Sequence, residues 1–427
     1  LPTLQKLREQ GAWGRLKTPP GFADDAVWSS FCTGEGPGKH GRYHNYYFDS
    51  DSYADVLVRY RHLAGTPFWQ TLSEAGRRVC VVDVPKCPLT PGLNGIQLAD
   101  WRVHGRDGPT RSYPVEVAPG VLARFGDDHN DAAWPENYLC SYETLSEKDA
   151  EELHRRLISG LEQKTRLLHE MLAQGPWELF LAVFKESHCA GHQFWRTAIH
   201  GGSGSQPQSR ARVTGGDRLK SVYQALDGAV AELLASIDSD TNLIVFSDIG
   251  MGDNFSGSKL LDDVLFRLEE NPLLRSFAVA ATRCTGAVRM RRRVEAMQLR
   301  LRRWRSAFAL PHNEISGAIR INLQGREAHG RVAPGRHYQR LCDRIEHELL
   351  SLRNVSNGAP IVDKLIRPAK DADGAAAQML PDMLAVWNRS CPITGAYSET
   401  MGTVSAPDDR HRPGNHVSDG IFFCVGP

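Results

Sequence analysis

The sequence lacks a long hydrophobic run, a charge imbalance and paired cysteine motifs. No apolar stretch approaches the roughly 20 residues that a membrane-spanning helix needs. We therefore expect no membrane span. The 427 residues contain 51 Lys and Arg against 50 Asp and Glu, which gives a net charge of +1. Because nucleic acids attract strongly basic proteins and this chain is nearly neutral, we also expect no nucleic-acid partner.

The cysteines are few and scattered. There are nine, an odd number, and none forms a CxxC pair. Cys32, Cys80 and Cys424 lie within apolar runs and are interpreted as small core residues. This usage favours a reducing compartment, so we predict a cytoplasmic protein.

What the sequence does contain is an alternation of helical and strand patterns. Short apolar runs at 80–85, 179–184, 242–247 and 421–425 predict buried strands, and helical patterns at 68–76, 147–174 and 217–236 precede the first three. This order predicts an α/β fold with a mostly parallel sheet covered on both faces. Ligands bind such sheets at the carboxyl ends of the strands, so polar residues that follow strands are candidate site residues.

Three other segments depart from this alternation. Residues of about 100–142 and 286–315 are predicted insertions, and the Gly- and Ser-rich stretch at 200–216 is a predicted mobile loop. Residues 289–305 are rich in arginine. This run favours a solvated helical face, and the alternative is a basic patch that steers an anionic substrate or binds an acidic surface.

Three histidines stand in patterns typical of metal ligands. His188 and His192 are four residues apart, directly after an apolar run, so on a helix both imidazoles reach one ion. His416 lies between Gly414 and Gly420, before the last apolar run. Each pattern alone is weak evidence, since histidines at such positions are common on protein surfaces.

Two further fragments complete a recognisable set, namely Thr33-Gly34-x-x-Pro37-Gly38 and Ser247-Asp248-Ile249-Gly250. Together with the histidines they resemble the metal-binding skeleton of the alkaline phosphatase superfamily, in its type I phosphodiesterase/nucleotide pyrophosphatase branch. The resemblance covers nearly the whole chain. It implies one alkaline phosphatase-like three-layer sandwich over residues 1–427, with inserted cap segments. It also implies that the first strand of the fold is missing before residue 1, with the aspartate ligand that ends it.

The resemblance implies a zinc site formed by His188, His192 and His416, with an open position for water or substrate. His188 stands where relatives have aspartate, and both residue types bind zinc. Asp248 matches a ligand of a second metal, whereas Ile249 replaces the histidine beside it. One Zn²⁺ ion is therefore expected, and a second would depend on a substitute ligand such as Asp253.

The nucleophile position is altered, because relatives have Thr or Ser where this chain has Asp24. Three interpretations stay open: a metal ligand in hydrolysis by metal-bound hydroxide, a carboxylate nucleophile that forms an acyl-phosphate, or loss of the usual covalent mechanism. Ser29 and Ser30 are candidate hydroxyls only if the register shifts. Further candidates for substrate binding follow the nucleophile loop: Lys39, His44 and Asn45.

The leading hypothesis is a zinc-dependent hydrolase of a phosphodiester or phosphomonoester, with a small phosphate ester as its partner molecule. One alternative is a phospho- or sulfo-group transferase or mutase on the same scaffold. The other is a degenerate relative that binds a ligand or partner without catalysis, which Asp24 and Ile249 favour.

Overall fold

The computed structural model describes residues 1–22, 25–58, 65–104, 108–127, 145–195, 211–269, 273, 300–313, 315–372, 374–405 and 412–427. Asp24 lies outside the described residues, as does most of the arginine-rich run.

The helices within these ranges are α1 (Pro2–Gln10), α2 (Asp25–Thr33), α3 (Pro37–His40), α4 (Phe68–Glu74), α5 (Val117–Phe125), α6 (Glu147–Leu172), α7 (Glu186–Phe194), α8 (Ala211–Leu234), α9 (Ser258–Arg267), α10 (Arg336–Ser351) and α11 (Gly374–Met379). The strands are β1 (Ala12–Lys17), β2 (Tyr46–Phe48), β3 (Asp55–Leu57), β4 (Val79–Val82), β5 (Gly95–Ala99), β6 (Arg111–Tyr113), β7 (Leu179–Ala182), β8 (Leu243–Ser247), β9 (Gly250–Asp253), β10 (Ala307–Leu310), β11 (Ser316–Ile321), β12 (Arg353–Asn354), β13 (Val362–Ile366), β14 (Met383–Trp387), β15 (Gly395–Ser398), β16 (Gly402–Ser405), β17 (Gly414–Val417) and β18 (Asp419–Val425). The four strands and three helices predicted from periodicity are all present, with ends shifted by a few residues. Helix α8 begins at Ala211, inside the predicted mobile loop.

Two sheets carry the candidate site. One has the order β6-β5-β4-β7, in which β5, β4 and β7 run parallel. The other has the order β1-β18-β8 and is antiparallel. A four-stranded sheet, β10-β11-β14-β13, forms a separate core with α9 and α10. The predicted α/β class is confirmed.

Strand β4 shows why helices cover both faces of its sheet. All four of its residues are buried. Cys80 and Val82 pack towards α5 and α6, whereas Val79 and Val81 pack towards Trp28 of α2 and Trp69 of α4. Because successive side chains of a strand point to opposite faces, a wholly apolar strand requires a cover on each side.

Cys32 is buried in the core as predicted, but its sulfur also forms a disulfide with Cys87, which was not predicted. The partners are 55 residues apart and share no local motif, so no sequence spacing indicated the pairing. The bond joins α2 to the loop that follows β4. Cys80 is buried as predicted, and burial raises the pKa of its thiol to about 12.

The arginine-rich run is also not a uniformly solvated face. Arg302 and Arg305 are buried, and their guanidinium groups pair with Asp55 and Asp262, each at 2.8 Å. Trp304 is 55% exposed. Among the described residues, no helix has both the length and the apolar character required to cross a bilayer.

Candidate metal centre

Helix α7 places the first two histidines on one face. Strand β7 pairs in parallel with β4, and α7 starts four residues after β7 ends. His188 and His192 are one turn apart, and their ring centroids are separated by 4.7 Å. The helical spacing predicted from the sequence is therefore realised at the carboxyl end of a parallel strand.

Strand β17 brings the third histidine to this pair. His416 lies opposite Met251 in the β17–β9 ladder. Its ring centroid is 4.8 Å from that of His188 and 4.7 Å from that of His192. One nitrogen from each of the three rings lies within 4.8 Å of the others. In the part of the chain that the structure describes, no other group of three or more His, Cys, Asp or Glu residues lies close enough together to hold one metal ion.

A backbone carbonyl fixes the tautomer of His192. Its Nδ1 lies 3.0 Å from the carbonyl oxygen of Gly414. Because a carbonyl only accepts hydrogen bonds, Nδ1 carries the proton and Nε2 keeps the lone pair that a metal requires. Burial, followed by the neighbouring His188 and His416, holds the pKa of His192 well below its usual range. The ring is therefore neutral near pH 7, which is the ligating form.

Two glycines allow β17 and its partner strand β9 to approach α7 this closely. A Cβ atom on Gly414 would lie 2.0 Å from the carbonyl oxygen of Gly191 and 2.6 Å from Cβ of Trp195. A Cβ atom on Gly191 would lie 2.7 Å from the end of the Met251 side chain. No larger residue at position 414 leaves room for the contact that orients His192.

Asp248 lies beside the histidines without joining their group. It stands between β8 and β9 and lines the same cavity as His188 and His416. Ile249 is buried, 7% exposed, and offers no ligand atom. Asp253, the possible substitute ligand, does not line this cavity, and its Oδ1 accepts a hydrogen bond of 3.1 Å from the Trp195 indole.

The described candidates of the nucleophile loop, Lys39, His44 and Asn45, do not line the cavity next to the histidines. Lys39 is exposed and lies 3.8 Å from Glu35, whereas the ring of His44 stacks on Tyr46. The cavity is instead bordered by Trp28 of α2, the helix that directly follows Asp24 in the chain.

The arrangement around Ser30 does not make it a nucleophile. His40 Nδ1 accepts the backbone N–H of Arg42, at 3.0 Å. In the neutral ring Nε2 therefore carries the proton and donates to Ser30 Oγ, also at 3.0 Å. Burial and then Arg42 lower the pKa of His40 from 6.5 to about 4, so the neutral form prevails near pH 7. A protonated Nε2 cannot accept the hydroxyl proton.

Sequence reasoning missed His104. Its ring centroid is 4.7 Å from that of His188 with 30° between the planes, and the side chain lines the same cavity. It follows β5, a strand that was not predicted, so the usual signal of a polar residue after a strand could not be applied. Recognising Gly95–Ala99 as a strand would have found it.

The cavity next to the histidines has a volume of about 1020 Å³ and extends along both β7 and β8. Each of these strands pairs on one side, β7 with β4 and β8 with β18. Among the described strands, none pairs with the opposite edge of either one. Ile244 of β8 is 63% exposed as a result.

A family model and a solved structure with a TM-score above 0.5 agree with this architecture. The family model described as type I phosphodiesterase / nucleotide pyrophosphatase matches residues 1–418. No curated protein matches the chain. A solved structure of phosphonoacetate hydrolase from Sinorhizobium meliloti 1021, in complex with phosphonoacetate, is 15% identical, with a TM-score of 0.52 over 99% of this chain and 84% of that one. Human ectonucleotide pyrophosphatase / phosphodiesterase 5 is 13% identical, with a TM-score of 0.46 over 100% and 83%.

Proposed function

We propose that this chain, which belongs to the type I phosphodiesterase / nucleotide pyrophosphatase family, uses one Zn²⁺ ion held by His188, His192 and His416. Family membership makes the chain a phosphoester hydrolase. The identity of the metal, the ligand set and the substrate are the proposal. Its main support is the convergence of three imidazoles, one of which has its tautomer fixed by Gly414.

The donor set fits zinc better than the alternatives. Imidazole suits Zn²⁺, whereas Mg²⁺ and Ca²⁺ prefer oxygen ligands. Three histidines with a cavity beside them correspond to a catalytic rather than a closed structural site. When bound, zinc supplies a Lewis acid that polarises a phosphoryl oxygen.

The remaining residues have separate tasks in this proposal. The cavity that His188 and His416 line admits a small phosphodiester or phosphomonoester. Asp248, at its edge, would bind a second cation or orient the substrate. Asp24 keeps its three interpretations, as metal ligand, as carboxylate nucleophile or as the mark of a lost covalent step.

We also propose that one further strand lies between β7 and β8 in the active protein. The edges of β7 and β8 along this cavity lack pairing partners among the described strands, which is unfavourable for their backbone groups. The substrate would occupy the end of the cavity at His188 and His416. A strand parallel to β7 would join the two sheets and would end beside Asp248. For the 427-residue chain we expect backbone amides of β8 to exchange hydrogen faster than those of β4. Equal protection in both strands would contradict the proposal.

The location of the protein stays a prediction. Its cysteine composition favoured the cytoplasm, whereas the Cys32–Cys87 disulfide is more typical of an oxidising compartment.

The test of the zinc proposal is metal content, measured by elemental mass spectrometry on the purified protein. We expect about one zinc per chain in the wild type and loss of that zinc in His416→Ala. The matched control is His337→Ala, an exposed histidine of α10. Hydrolysis of bis(p-nitrophenyl) phosphate, p-nitrophenyl phosphate and phosphonoacetate by the zinc-loaded protein then tests the substrate class. Zinc that remains in His416→Ala would refute the ligand assignment.

A further inference from the structure

A fourth histidine packs against the proposed ligand His188. The ring centroids of His104 and His188 are 4.7 Å apart, with 30° between the ring planes. The rings of His192 and His416 lie at similar distances from His188 but are inclined to it by 85° and 54°. Of these three neighbouring rings, that of His104 lies most nearly parallel to His188, as in an offset stack.

His104 is not one of the proposed ligands. The nitrogen atoms that lie close enough together to share one ion come from His188, His192 and His416. The ring of His104 contacts this group at His188 and lines the same cavity. Its position therefore suits a residue that acts on a ligand rather than on the ion.

A buried ion pair holds both chain segments that carry the two stacked rings. Lys164 lies 2.8 Å from Asp83, and both side chains are fully buried. The same ammonium group donates to the carbonyl oxygens of Arg102 and Val183, at 2.9 and 2.8 Å. The first carbonyl lies two residues before His104, and the second directly follows β7 on the way to α7. One cation thus fixes both segments at the same edge of the sheet.

We propose that His104 is a positioning residue that holds the His188 imidazole in the orientation required for zinc binding. The inference rests on the proposed function, in which His188 is a ligand. The family resemblance implies aspartate at position 188, and a histidine there carries a ring whose χ2 rotation is only weakly restricted by its own geometry. A ring stacked on one face restricts that rotation, and ligands held in this way bind metal more tightly.

Zinc affinity of two variants tests this role. Phenylalanine keeps a ring at position 104 and removes both nitrogens, whereas alanine removes the ring. A ring pair corresponds to roughly 2- to 10-fold in an equilibrium constant. By competition with a chromophoric chelator, we expect His104→Ala to bind zinc about 3- to 10-fold more weakly and His104→Phe to stay within about twofold of the wild type. The matched control is His337→Ala, an exposed histidine of α10.

Two further readouts separate positioning from a general loss of packing. Co²⁺ accepts the same imidazole ligands, and its visible absorption bands report their geometry. We expect these bands to shift in His104→Ala and to return in His104→Phe. In a His188→Asp background no ring remains to be held, so His104→Ala should change zinc affinity by less than about twofold.

Three results would overturn the inference. The first is a His104→Ala protein with unchanged zinc affinity and cobalt bands. The second is an equal loss of affinity in His104→Phe, which would assign the effect to a nitrogen of His104. The third is the same loss in the His188→Asp background.

The ring contact is also tested without metal. A wild type that binds no zinc would count against the proposed function and not against the contact. In the metal-free protein, a double-mutant cycle of His104→Ala and His188→Ala should show coupling of at least about threefold in the unfolding equilibrium constant, measured by chemical denaturation. Additive effects of the two substitutions would refute the contact and, with it, the positioning role.

Discussion

The contact between Gly414 and α7 makes a sharp prediction about metal affinity. In Gly414→Ala the new methyl group would lie 2.0 Å from a backbone oxygen of α7 and 2.6 Å from Cβ of Trp195. Neither atom is the end of a flexible side chain, so β17 must move away from the helix. The move breaks the hydrogen bond between His192 and the Gly414 carbonyl and shifts His416 on the same strand.

The expected loss of unfolding free energy has two contributions, the overpacking and the lost hydrogen bond. Overpacking of a tight contact costs about 1–3 kcal/mol, and a lost hydrogen bond costs about 1 kcal/mol. We therefore expect the metal-free protein to lose about 2–4 kcal/mol of unfolding free energy. Loss of the partner that orients a ligating histidine weakens metal binding by about 10- to 100-fold. Zinc affinity is measured by competition with a chromophoric chelator, and stability by chemical denaturation.

Two other glycines provide the controls. Gly228→Ala places a methyl group in open space on helix α8, so stability should rise by about 0.5–1 kcal/mol with zinc affinity unchanged. Gly191→Ala meets the flexible end of Met251 and should cost less than Gly414→Ala. If Gly414→Ala folds normally and binds zinc as tightly as the wild type, the argument that this carbonyl orients His192 is refuted.

Three further predictions concern polar groups of the core and of the site. Burial, then Arg42, lowers the pKa of His40 to about 4 against 6.5 when unfolded, so the unfolded chain binds more protons between these values. Stability should therefore fall as pH drops from about 6.5 to 4, and His40→Gln should flatten this decline in denaturation midpoints measured across that range. Lys164→Met leaves the Asp83 carboxylate buried without its cation and should cost about 3–5 kcal/mol by denaturation, partly recovered by adding Asp83→Asn. Asp253→Asn should leave zinc content unchanged because the side-chain oxygen can still accept the Trp195 N–H, whereas loss of zinc would restore Asp253 as a ligand.

The sequence predicted those features of the fold and of the site that depend on residues close together in the chain. His188 and His192 lie one helical turn apart after an apolar run, and that spacing alone places both rings on one face. Strand β4 is a wholly apolar run with all four residues buried, as a sheet covered on both faces requires. The link from His416 to this pair came from the family resemblance, because nothing in the spacing of residues 192 and 416 predicts contact.

The features that were missed depend on tertiary contacts. His104 reaches His188 only because the unpredicted strand β5 pairs with β4. The Cys32–Cys87 bond joins residues brought together by the packing of α2 on the sheet. The hydrogen bond from the Trp195 indole to Asp253 was not predicted either, because it depends on where the β9–β17 ladder places residue 253. In each case, burial or strand pairing decided the partner.

The altered residues of the site change its charge in one direction. In the proposed zinc site His188 would be a neutral ligand at a position where the family resemblance implies aspartate, so an ion held by three imidazoles would keep its full double charge. Ile249 is buried and adds no ligand for a second ion. In the proposed site an anionic phosphoryl group would therefore meet an undiminished double charge, which stabilises it more strongly than an ion partly neutralised by an aspartate ligand would.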